Sequence, residues 1–71
     1  MANYDLTDAE KATLIEQRLK QFNSEKFQHQ LNKETAVALN NQEAVAATDQ
    51  AIADIDAAIT VHEDALSNLS N

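Results

Sequence analysis

The chain has 71 residues, 44% of them apolar, with five Lys/Arg against twelve Asp/Glu and a formal charge of −7. That length suits one small domain, marginal as a lone folded unit. The absence of Cys excludes a disulfide framework and a thiolate metal site. The acidic balance speaks against nucleic-acid phosphates or anionic membrane lipid as partners, because both require clustered Lys and Arg. Gly and Pro are also absent, which removes the usual punctuation of β-turns and hairpin strands, while Ala, Leu, Glu, Gln and Lys are good helix formers. The expected class is all-α.

The opening Met1-Ala2-Asn3-Tyr4-Asp5 has neither a basic n-region nor an apolar h-region, so the expected compartment is the cytoplasm. No apolar run reaches the roughly 18 residues of a bilayer span. Residues 1–6 read as a lead-in from which Tyr4 and Leu6 can fold back. Thr7-Asp8-Ala9-Glu10 then fits a capping box, with Asp8 adding negative charge where the helix dipole favours it. A first helix is expected over about 7–39. Ala12, Ile15, Leu19 and Phe22 fall at 3,4 spacing along it. The next apolar residues, Phe27, Leu31 and Ala38, are offset by one from the frame that would place Lys26 in the seam. Such a slip acts as a stutter. A continuous or mildly distorted helix is favoured over a break capped by Ser24.

Leu39-Asn40-Asn41-Gln42-Glu43 is the candidate turn, because Asn tolerates the left-handed conformation and caps helices. Asn40 with Glu43 resembles a second, weaker capping box. A second helix is expected over about 41–69, with Ser70-Asn71 frayed. One of its heptad columns holds Ala38, Val45, Ile52, Ile59 and Leu66; the other holds Asn41, Thr48, Ile55, His62 and Leu69. A third column beside them is Ala44, Ala51, Ala58 and Ala65, so the apolar face is three columns wide.

Folding back at the turn pairs residues whose numbers add to about 82. The seam then comprises Ile15, Leu19, Phe22, Phe27 and Leu31 against Val45, Ile52, Ile55, Ile59, His62, Leu66 and Leu69. The same register brings Lys33 near Asp49, Lys26 near Asp56 and Arg18 near Asp64. Residues 1–39 hold five bases and six acids, net −1. Residues 40–71 hold six acids and no base, net −6: Glu43, Asp49, Asp54, Asp56, Glu63 and Asp64. The rival is one uninterrupted helix of about 60 residues in an intermolecular coiled coil, since neither Gly nor Pro enforces a turn.

One neighbouring helix cannot cover a face three columns wide, and Leu14, Val37, Leu39 and Val61 fall outside the seam. A dimer of hairpins forming an antiparallel four-helix bundle is therefore expected, with Leu14, Ala44, Ala51, Ala58, Ala65 and Val61 as the candidate interface. In architecture alone such a dimer is similar to Rop-type hairpin dimers, although the lack of a basic face speaks against RNA binding.

Signs of chemistry are few. His62 in the seam reads more readily as a polar residue setting register, in company with Asn41 and Thr48, than as a metal ligand or a pH switch. His29 has no partner at a ligand spacing, and neither HExxH nor paired Glu-x-x-His occurs. Without a nucleophile, a Gly-rich phosphate loop or a concave scaffold, the chain is not expected to be an enzyme or to carry a cofactor or metal. The acidic residues of the second helix read as a solvated face, with DNA mimicry toward a basic partner as the alternative. The expectation is a non-catalytic interaction module: an adaptor, assembly factor or small regulatory subunit that forms homodimers and binds a further protein. A structural coiled-coil part of a viral or filamentous assembly is the other alternative.

Overall fold

The computed structural model describes residues 4–70, so expectations for Met1–Asn3 and Asn71 lie outside the described residues. Two helices, α1 (Asp8–Ala38) and α2 (Gln42–Ser70), pack against each other as an all-α hairpin. The molecule is a rod of 59 × 19 × 16 Å. Its Cα radius of gyration is 16.6 Å, against the ~11 Å of a compact chain of this length.

α1 starts where the capping box places it. The Thr7 hydroxyl accepts from the Glu10 backbone N–H at 3.1 Å, and the Glu10 carboxylate accepts from the Thr7 N–H at 2.9 Å. Asp8 and Glu10 face the positive end of the dipole. Before the cap, Tyr4 is almost fully exposed and does not fold back, whereas Leu6 lines an open groove with Ala9, Glu10, Thr13 and Leu14. No break follows at Asn23-Ser24: the helix is continuous, and the Asn23 side-chain amide donates to the Leu19 carbonyl at 2.9 Å.

The turn closes with a Schellman motif. Asn40 takes φ 57°, the left-handed conformation that Asn adopts more readily than most residues. The Asn41 N–H donates to the Ala36 carbonyl at 2.9 Å and the Asn40 N–H to the Val37 carbonyl at 3.0 Å. Asn41, rather than Asn40, then caps α2, its side-chain oxygen accepting from the Ala44 N–H at 3.1 Å. The two asparagines divide the work: one stops a helix and the next starts one. This turn also excludes the single uninterrupted helix.

The register is fixed by charge as well as by packing. Lys26 Nζ lies 2.7 Å from the Asp56 carboxylate, and Lys33 Nζ lies 2.7 Å from that of Asp49. The residue numbers of each pair add to 82. Among the described residues no ion pair joins Arg18 to Asp64.

On α1, however, the seam departs from the expected one. Its covered positions are Ala12, Ile15, Leu19, Phe22, Lys26, His29, Lys33 and Ala36, an unbroken 3,4 series. The slip at Lys26 does not occur, and Phe27 and Leu31 are not seam residues: they stand 59% and 46% exposed. The physical reason lies in α2, whose covered series Val45, Thr48, Ile52, Ile55, Ile59, His62, Leu66 and Leu69 never changes frame. A one-residue slip in α1 would turn its apolar stripe by about 100° away from that partner. Lysine avoids this cost, because its methylene stem can lie along the seam while the amine reaches the flank. Lys26 and Lys33 do so, each ending on an aspartate.

Candidate interaction surface

Two helices side by side enclose little. Ala36, beside the turn and 5% exposed, is the one residue fully within the core among those described. The remaining seam residues, Ile15, Leu19, Phe22, Val45, Ile52, Ile55, Ile59, His62, Leu66 and Leu69, are half-buried.

His62 is tied into this seam. Its ring stands edge-on to Phe22, with centroids 4.8 Å apart and planes at 75°. Its Nδ1 lies 2.7 Å from the Ala58 carbonyl oxygen, a hydrogen bond in the tautomer that carries the proton on Nδ1. Thr48 likewise turns its hydroxyl inward along its own helix, donating to the Ala44 and Val45 carbonyls at 3.0 and 2.9 Å. These two polar residues of the α2 seam thus each find a hydrogen-bond partner on their own helix. Among the described residues no cluster of three or more His, Cys, Asp or Glu is placed to hold a metal ion. No helix of the described chain is long and apolar enough to cross a membrane.

The six acids of α2 do not act as one surface. Asp49 and Asp56 are engaged with lysines, and Asp54 accepts from the Gln50 side-chain amide at 2.9 Å. Glu43, Glu63 and Asp64 are exposed. Asp49, Asp56 and Glu63 share one heptad column, which flanks the seam on one side. An open groove lies there, lined by Gln30, Lys33, Glu34, Val37, Asp49 and Ile52.

The alanine column flanks the seam on the other side. Ala44, Ala51, Ala58 and Ala65 are each half-buried within the hairpin, so α1 already covers part of the edge expected to receive a second molecule. Leu14 is 45% exposed and Val61 is 64% exposed.

What pattern reading missed is on the back of α1. Once Lys26, His29 and Lys33 occupy the seam, Phe27 and Leu31 lie one turn apart on the helix face turned away from α2. Lys20 and Glu34 stand one heptad before and one heptad after Phe27, both exposed. The signal was present in the unbroken 3,4 spacing, but it demanded that two lysines be accepted as seam residues over two large apolar neighbours. No family model matches the chain, and no curated protein or solved structure matches it.

Proposed function

We propose that the chain is a non-catalytic protein–protein interaction module that works as a self-associating helical hairpin. In this role it acts as an adaptor, assembly factor or small regulatory subunit, as a homodimer that offers a four-helix platform to another protein. The observation that supports this reading is surface left uncovered. A compact monomer of 7.8 kDa exposes about 4,400 Å², whereas this hairpin exposes 5531 Å². The excess, about 1,100 Å² on that scaling, exceeds the ~800 Å² that each partner contributes to a standard interface. Large apolar side chains are among those exposed: Leu14, Phe27, Leu31, Val37, Leu39 and Val61.

Sedimentation equilibrium over a hundredfold range of concentration tests the reading. Twice the chain mass at the upper end, with helicity that rises with concentration, is the expected result. A monomer throughout, with undiminished helicity, would overturn it. Capture of host proteins by the dimer, but not by a monomeric variant, would then identify the client.

A further inference from the structure

We infer that the second copy docks on the back of α1, through an antiparallel contact of α1 with α1 whose twofold axis passes at Phe27. This deepens the self-association proposed above and rests on it. The inference comes from the arrangement of charge around the one exposed aromatic residue of the two helices. Lys20, Phe27 and Glu34 occupy one heptad column, with the phenylalanine midway between opposite charges. Each charge is one heptad, ~10.5 Å of helix rise, from the ring. A twofold axis at Phe27 reverses the second column. It sets Phe27 upon Phe27 and brings each Lys20 level with Glu34 of the second copy, giving two identical ion pairs. Leu31, one turn from Phe27 on the same face, packs beside the ring of the opposite copy. An isologous interface requires a surface complementary to its own reversed image. This column is such a surface.

The rest of the surface is less suited to a second copy. A twofold contact made by the outer face of α2 would set its acids against themselves, because residues 40–71 carry six acids and no base. The alanine edge is already half-covered by α1. By contrast Phe27 and Leu31 remain 59% and 46% exposed, and neither Lys20 nor Glu34 has an ion-pair partner among the described residues. Aromatic side chains carry much of the energy of protein interfaces, and flanking charges set register and partner choice. The resulting order of helices is α2, α1, α1, α2 across the dimer, so both acidic helices lie outermost. This is an open row of four rather than a bundle closed around the alanines.

Charge reversal tests the register directly. Lys20→Glu alone sets carboxylate against carboxylate at both ion-pair positions of the dimer, and Glu34→Lys alone sets ammonium against ammonium at both. Each is expected to raise the dimer dissociation constant about tenfold, and the Lys20→Glu/Glu34→Lys double variant to restore it to within about threefold of the parent. Phe27→Ala is expected to weaken the dimer at least about a hundredfold, with circular dichroism of the monomer unchanged because the residue lies outside the hairpin seam. If the parent is a dimer but the single reversals leave its dissociation constant alone, or the double variant fails to recover, this interface is wrong while self-association stands. If the parent is monomeric at every concentration, both fall.

Discussion

Toward the open end of the hairpin, α1 sets Ile15, Leu19 and Phe22 in register with Ile59, His62 and Leu66 of α2. Toward the turn it sets Lys26, His29 and Lys33 in register with Thr48, Ile52 and Ile55. The first half of the seam is apolar on both sides except for His62, whose ring stands edge-on to Phe22. The second half meets Ile52 and Ile55, with Thr48 beside them, using cations and an imidazole, and sends its own large apolar residues, Phe27 and Leu31, outward. Chain connectivity accounts for the tolerance. A short turn keeps the neighbouring residues at high local concentration, so little loop-closure entropy remains for packing to offset there. At the far end no covalent link helps, and burial alone must hold the helices together. The turn-proximal half is thus free to commit its apolar residues to another surface, with two ion pairs keeping the register.

Phe22 and Phe27 provide the sharpest way to break this comparison, since they are the same residue type five positions apart. Phe22→Ala removes a half-buried ring and its edge contact with His62. It is expected to lower hairpin stability by about 2–3 kcal/mol. Phe27→Ala, measured in protein dilute enough to be monomeric, is expected to change it by less than about 0.5 kcal/mol. Urea denaturation followed by circular dichroism reads both. Equal losses would mean that Phe27 belongs to the seam after all.

The turn itself should give the next largest effect. Asn40→Ala places an ordinary Cβ residue at φ 57° and is expected to cost about 1 kcal/mol. Asn40→Gly should be neutral or slightly stabilising, because glycine adopts that conformation freely. Thermal melts should therefore place Asn40→Ala below the parent and Asn40→Gly level with it or slightly above. Smaller still is the effect of replacing both seam lysines. Lys26→Met with Lys33→Met removes two partly exposed ion pairs, each worth about 0–1 kcal/mol, and adds apolar stem to the seam. Net stability should stay within about 1 kcal/mol of the parent. A larger loss would show that the ion pairs, rather than the turn, hold the proximal half.

The hairpin was legible in the chain because several independent signals agreed on it. Thr7 and Glu10 mark a start, the paired asparagines mark a reversal, and the α2 heptads run without interruption. The lysine–aspartate spacing gave the register, and two of the three expected pairs form. The seam of α1 was less legible because hydrophobicity and periodicity disagreed there. Taking the apolar residues as inward selected Phe27 and Leu31, while keeping the period selected Lys26, His29 and Lys33. The period prevailed, since a partner helix whose covered series never changes frame imposes that frame along the whole contact, and a lysine can meet both environments at once. The division of labour at Asn40 and Asn41 was hidden for a different reason. Either asparagine suits either role, and only the backbone hydrogen bonds of the closed turn assign them.

At the opposite end from that turn, the α1 cap should carry a small pH dependence of its own. The Thr7 backbone N–H, followed by its hydroxyl, hydrogen-bonds the Glu10 carboxylate and holds its pKa below the usual 4.5. A carboxyl whose pKa is lower in the folded state than in the unfolded chain stabilises the fold fully above its unfolded value. That contribution disappears as the pH falls through the folded value. Glu10→Gln keeps an oxygen that can accept from the Thr7 N–H but cannot ionise. The parent should therefore be the more stable of the two at neutral pH, and the difference should close on acidification below 4.5. Comparing the two proteins at each pH cancels every pH effect that both share. A difference that persists unchanged well below 4.5 would mean that the carboxylate acts through something other than its charge. Fraying confined to the first turn, seen as faster amide exchange at Glu10 and Lys11 with the turn-proximal half unaffected, would locate the effect at the open end. There stability rests on local caps and burial, and no covalent link opposes the opening of the helices.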